Sequence, residues 1–225
     1  LDIFPAKITS SPIHIFFHGG YWHSLTSSDF AFVAEGLVRN GITAVLVNYA
    51  LCPTVNIDEI VRQSRAAVAW TYRNAETFGG NPERISVSGH SAGGHLTGML
   101  LTSEWEKDYG LPVNLINGFL PVSGLFDLAP FPFSWLQPEL QLTSEEVLRN
   151  SPLLLKPVYS PPVIVAVGAD ESQEFQRQSE VYAKYLQKYG VPVEYQLIPG
   201  KNHFNIIHDY LGDGGPLCKK IIEWK

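Results

Sequence analysis

The chain has 225 residues, of which 45% are apolar, 12% aromatic and 17% charged. This is ordinary globular composition, which excludes a disordered tail, and a chain of this length buries roughly 70% of the surface its unfolded form exposes. Sixteen basic residues against twenty-two acidic ones give a net charge of −6, and the most basic run is Lys219-Lys220, so no nucleic-acid partner is expected.

The chain opens at Leu1 inside a strand-like run, and the natural start is expected to lie upstream. Residues 13–17 are β-rich and lead into His18-Gly19-Gly20. Phe30, Val33, Ala34, Leu37 and Val38 recur at helical spacing, with Gly41 as a stop. Residues 42–49 form a nearly continuous apolar run, as in a parallel strand buried on both faces. Asn56 is placed to cap a long helix over 57–78 that buries Ile57, Ile60, Val61, Ser64, Ala67 and Val68. A short strand over 84–88 and a helix over 92–103 follow. Further strands are expected over 116–122, 163–167 and 192–198. Helices are expected over 175–189 and at the end of the chain, around Ile221, Ile222 and Trp224. Strands alternating with helices predict a single α/β domain over 1–225, a mostly parallel central sheet covered by helices on both faces. Residues 125–162 break the rhythm with seven prolines and the aromatics Phe126, Phe131, Phe133 and Trp135. A loop-rich insertion of this length in a compact domain predicts a lid over the C-terminal edge of the sheet.

Gly89-His90-Ser91-Ala92-Gly93 fits G-x-S-x-G, between a predicted strand and a predicted helix, which is the setting of a nucleophile elbow. There the serine hydroxyl stands at a helix N-terminus, where backbone N–H groups favour developing negative charge. His18-Gly19-Gly20-Tyr21-Trp22, after the first apolar strand, is similar to the oxyanion loop of lipases and esterases. The N–H groups of Gly20, Tyr21 and Ala92 are the candidate oxyanion donors, and His18 reads as a structural imidazole that pins the loop. A serine needs a base, and the base an orienting acid. His203, in a loop after a strand and before a predicted helix, is the candidate base. His208 falls inside that helix. The acid belongs after the strand that ends at Gly168, which leaves Asp170 and Glu171 open.

Paired histidines stand five apart, never at the i, i+4 spacing of a helical zinc site. Neither a P-loop nor G-x-G-x-x-G occurs, so neither metal nor cofactor is expected. Cys52 and Cys218, without a CxxC, give no disulfide framework and point to a reducing cytoplasm. No run approaches the ~20 apolar residues of a membrane span, so no membrane partner is expected. The partner that remains is a small-molecule substrate.

HGGYW together with GHSAGGHL resembles the arylformamidases, or kynurenine formamidases. These are α/β-hydrolases related to hormone-sensitive-lipase-type esterases, which more often carry HGGG and GDSAGG. Residues 118–128, 140–152 and 171–179 are also similar to formamidase segments. The resemblance implies hydrolysis of N-formyl-kynurenine to kynurenine and formate, activity on small aryl and acyl esters, a cytosolic location and no metal; a homodimer is implied in the same way. It implies Ser91 as nucleophile and His203 as base. Because the family's acid directly precedes a Ser-x-x-Phe stretch, here Ser172 to Phe175, it implies Glu171 rather than Asp170. The chain departs from the family at its N-terminus, where the leading antiparallel strands are absent or only partly present. Phe126, Phe131, Phe133 and Trp135 are candidates for either lid core or pocket wall, with Trp22 and Tyr49 as further walls. A broad short-acyl carboxylesterase is the rival enzyme, and a non-catalytic binding protein of the same fold is the rival outside catalysis.

Overall fold

Strand β2 (Ser11–Phe17) is buried along its whole length in the computed structural model, which describes residues 1–213 and 215–224. Its alternating side chains divide the core. Ile13, Ile15 and Phe17 join Val45 and Val47 of β3 (Thr43–Val47) and Ile85 and Val87 of β4 (Gly80–His90) on one face. Phe16 points the other way, into a second cluster with Leu46 and Leu120. A parallel strand in the middle of an α/β sheet has no solvated face, which is why these runs read as continuously apolar.

Among the described residues seven strands form one sheet, completed by β1 (Asp2–Phe4), β5 (Gly118–Val122), β6 (Val163–Gly168) and β7 (Val193–Ile198), in the order β1-β3-β2-β4-β5-β6-β7. β1 pairs antiparallel with β3, and every other pair is parallel. Phe17 pairs with Gly89, His90 with Val122, and Gly168 with Ile198, so the C-terminal ends of β2, β4, β5, β6 and β7 finish level along one edge. In open α/β sheets that edge is where ligands bind.

Helix α1 (Val33–Arg39) covers the second cluster, and α2 (Ile57–Asn74) and α3 (Ala92–Leu101) cover the first. The Asn56 side chain accepts the Glu59 N–H at 3.0 Å and so starts α2. That helix gives way to one 3-10 turn, Ala75–Phe78, closed by Gly79 in left-handed backbone. The expected helix from Phe30 is split: Asp29 accepts the Thr26 N–H and hydroxyl, so a 3-10 turn over Ser27–Phe30 forms ahead of α1. β4 begins at Gly80, earlier than the apolar run shows, because Gly80 still pairs with Ser11 across a register shift. After α4 (Trp105–Tyr109) come the two short helices of the 125–162 segment, α5 (Gln137–Leu140) and α6 (Ser144–Asn150). Then follow α7 (Gln173–Lys188) and α8 (Pro216–Ile222), which ends short of Trp224.

The proline-rich segment is pinned at both flanks. On α6, a Thr143–Glu146 capping box opens the helix, Arg149 pairs with Asp58 of α2 at 2.6 Å, and Asn150 Nδ2 donates to Asp58 at 2.7 Å. On the other flank, Gln178 of α7 accepts the N–H groups of Phe126 and Asp127, and the Phe126 ring stacks on Tyr182 with centroids 4.0 Å apart.

Candidate active site

β4 ends at His90 and α3 starts at Ala92, which leaves one residue to turn the chain. Ser91 does so at φ 58°, ψ −116°, a conformation that a side chain rarely adopts. Its N–H donates to the Val122 carbonyl at 2.9 Å, which fixes the turn against β5. A methyl group at Gly93 would strike the Phe17 carbonyl, and one at Gly89 the carbonyl of Gly93, so the elbow closes only with glycine on both sides.

His203 Nε2 lies 3.0 Å from Ser91 Oγ, and His203 Nδ1 lies 2.7 Å from Glu171 Oε2. A carboxylate only accepts, so Nδ1 carries the proton and Nε2 is free to accept from the serine. The Glu171 side chain is fully buried, whereas Asp170 is exposed and its N–H donates to the Lys201 carbonyl. Of the two adjacent carboxylates, the structure brings Glu171 to the imidazole. The second oxygen, Oε1, accepts from Ser123 Oγ at 2.5 Å and from the Gly168 N–H at 2.8 Å. The His203 ring is stacked on Phe175, centroids 4.2 Å apart, with His90 at 4.6 Å on another side. Burial, then the neighbouring His203, pushes the His90 imidazole down to about 3, so it stands beside the base as a neutral ring.

The loop after β2 runs through three successive left-handed residues: Gly20 (φ 113°), Tyr21 (φ 50°) and Trp22 (φ 60°). Only glycine fits at the first, since a Cβ there would run into the Ser24 carbonyl. The Gly20 carbonyl accepts the N–H groups of His23 and Ser24, while the N–H groups of Gly20 and Tyr21 meet no acceptor among the described residues. Ala92, the first residue of α3, contributes one of the N–H groups that a helix start leaves unpaired. Trp22 anchors the loop: its indole N–H donates to His95 Nδ1 at 3.1 Å, and His95 Nε2 donates to the Asn150 carbonyl at 2.7 Å. Burial holds the His95 imidazole down at about 4. His18 donates from Nδ1 to the Gly19 carbonyl at 2.7 Å and stacks on Tyr49, 4.2 Å between centroids; burial lowers its pKa.

A cavity of about 230 Å³ opens beside these groups. Tyr21 and Phe175 form the walls nearest the loop and the imidazole, and Leu125, Phe131, Trp135 and Leu136 of the 125–162 segment form much of the remainder. Four of the candidate wall residues are not there. Tyr49 is spent inside, its hydroxyl donating to the His18 carbonyl at 2.8 Å and its ring packed on His18. Phe126 is fully buried in its stack with Tyr182. Trp22 is likewise fully buried. Phe133, by contrast, is 92% exposed and outside the cavity wall. His208 is exposed on a 3-10 turn, Ile206–Tyr210, that stands where a helix was expected. Ser123 and Phe175 are the site residues that motif reasoning passed over. The available signals were position alone: Ser123 directly follows the C-terminal end of β5, and Phe175 lies in the first turn of α7.

Residues 14–206 match the family model described as alpha/beta hydrolase fold. The kynurenine formamidase of Salmo salar is 36% identical over 222 residues, which span 95% of this chain and 73% of that one. The chain belongs to the kynurenine formamidase family of α/β-hydrolases. The kynurenine formamidase of Danio rerio is 33% identical over 230 residues, spanning 99% and 76% of the two chains. Among solved structures, an esterase from Pyrobaculum calidifontis superposes with a TM-score of 0.83 at 18% identity, over 98% of this chain and 79% of that one, a likeness of fold alone. Among the described residues of this formamidase-family chain, no helix is long and apolar enough to cross a membrane.

Proposed function

We propose that the protein is an arylformamidase that cleaves N-formyl-kynurenine to kynurenine and formate through a formyl-enzyme on Ser91. The observation that carries the reading is the unbroken relay from Ser91 Oγ through His203 to Glu171 beside a cavity walled by Tyr21, Phe131, Trp135 and Phe175. His203 Nε2 takes the Ser91 proton as Oγ bonds to the formyl carbon. The carbonyl oxygen, now an oxyanion, is held by the N–H groups of Gly20, Tyr21 and Ala92; one such donor is worth about 3–4 kcal/mol of barrier. The C–N bond then breaks and His203 returns the proton to the departing aryl amine. Water enters, gives a proton to His203 and its oxygen to the formyl carbon, and formate leaves as Ser91 recovers its proton. Glu171 holds the imidazole in the required tautomer and supports the imidazolium. Aromatic walls suit the aryl ring, which gains about 0.5–1.5 kcal/mol per well-placed ring contact. Two buried free thiols, Cys52 and Cys218, fit a reducing cytoplasmic setting.

A broad short-acyl carboxylesterase is the second reading, favoured by the apolar character of the same cavity wall. The deciding measurement is kcat/KM for N-formyl-kynurenine beside p-nitrophenyl esters of increasing acyl length. The formyl substrate is expected to lead. A butyrate ester ahead by about a hundredfold, the scale on which one pocket discriminates acyl groups, would reject the formamidase reading.

A further inference from the structure

The triad carboxylate has two oxygens and only one faces the imidazole; what the other does decides whether the first stays in place. Glu171 carries one more rotatable bond than aspartate, so an untethered carboxylate samples more orientations. Here Oε1 is gripped from two neighbouring strand ends. The Gly168 N–H, at the end of β6, donates at 2.8 Å, and the Ser123 hydroxyl, one residue past β5, donates at 2.5 Å. Ser123 is fully buried, and Glu171 is the only partner its hydroxyl has among the described residues. Its backbone is itself held in the left-handed region, φ 49°, with its N–H on the Ala166 carbonyl of β6 at 2.8 Å. A non-glycine residue keeps such a conformation only where its surroundings over-determine it. A serine kept there, in a turn where glycine would be at ease, points to the hydroxyl as what the position requires.

We propose that Ser123 is a positioning residue for the triad acid: its hydroxyl fixes Oε1 of Glu171 so that Oε2 stays on His203 Nδ1. The inference rests on the reading of Ser91, His203 and Glu171 as a working triad. Ser123 touches neither substrate nor reacting atoms and acts through Glu171 alone. The same contact accounts for the structure's choice between the two adjacent carboxylates, since Asp170 has no such partner and lies exposed.

Two substitutions test it. Ser123→Gly and Ser123→Ala both remove the hydroxyl, but only glycine relieves the left-handed backbone, so the glycine variant melts higher than the alanine one. Wild type is first labelled with a fluorophosphonate and assayed with p-nitrophenyl acetate, a substrate that does not depend on the formamidase reading. In both variants kcat falls by about 10- to 100-fold, the scale for removing a partner that orients a functional group, and KM stays near wild type. The downfield proton resonance of the His203–Glu171 hydrogen bond shifts or broadens in both. Wild-type kcat in both variants, or kcat that follows melting temperature with glycine fast and alanine slow, overturns the inference. A wild type that neither labels at Ser91 nor turns over ester overturns the triad reading and this inference with it.

Discussion

A serine hydroxyl reacts only when its proton has somewhere to go, and in this protein the acceptor stands 3.0 Å away. Fluorophosphonate is therefore expected to add one adduct on the peptide that holds Ser91, and Ser91→Ala to abolish both the adduct and turnover; an adduct elsewhere would contradict the assignment. Glu171→Gln is expected to lose up to about 10⁴ in kcat, the cost of an unsupported imidazolium, while Asp170→Asn keeps most activity; the reverse pattern would move the acid. Position along the chain alone could not separate these two carboxylates, because both follow the end of β6. What separates them is burial and the contact with Ser123, a residue 48 positions earlier, and neither is written in local spacing.

The strands and the elbow were legible because their signals are local: apolar runs for buried parallel strands, and Gly-x-Ser-x-Gly between a strand and a helix. The 125–162 segment shows where local signals run out. Four of its aromatics look alike in sequence, yet Phe126 is sealed against Tyr182, Phe131 and Trp135 line the cavity, and Phe133 stands in solvent. Which aromatic faces which way is set by how α6 docks on α2 and by Gln178 gripping the start of the segment, both long-range contacts. The difference is measurable. Phe126→Ala is expected to cost about 3–5 kcal/mol of stability, as for a buried aromatic, with KM little changed. Trp135→Ala removes a side chain that is 72% exposed, so the melting temperature is expected to hold while KM for the aryl substrate rises. Thermal melts and steady-state kinetics on the two variants check the pair; equal effects on both readouts would show that the segment acts as one body.

At the scale of the whole molecule, four of the described histidines, His14, His18, His90 and His95, are locked in the interior with their pKa lowered by burial. Burial pushes His14 down to about 3, His90 to about 3 and His95 to about 4. His14 lies between the hydroxyls of Ser86 and Ser88, at 2.8 and 2.6 Å. In the unfolded chain the same groups titrate near 6.5. Above that value neither state holds the proton and these groups leave stability unchanged. As pH falls below it the unfolded chain binds protons that the fold refuses, so stability drops, and keeps dropping until the native values are reached. The urea midpoint is accordingly expected to fall steeply between about pH 6.5 and 4, with a net uptake of protons on unfolding; a midpoint independent of pH over that range would contradict the burial of neutral imidazoles. The level C-terminal edge of the sheet carries a different consequence. Ser91 and His203 are 112 positions apart, and the loop after β2 and the Ser123 turn must arrive beside them from other strand ends. Pairings so distant along the chain close late, after the local helices have formed. Catalysis is thus a stringent clock for folding: in a refolding time course, turnover should lag behind the far-ultraviolet helical signal and appear only with the final long-range step.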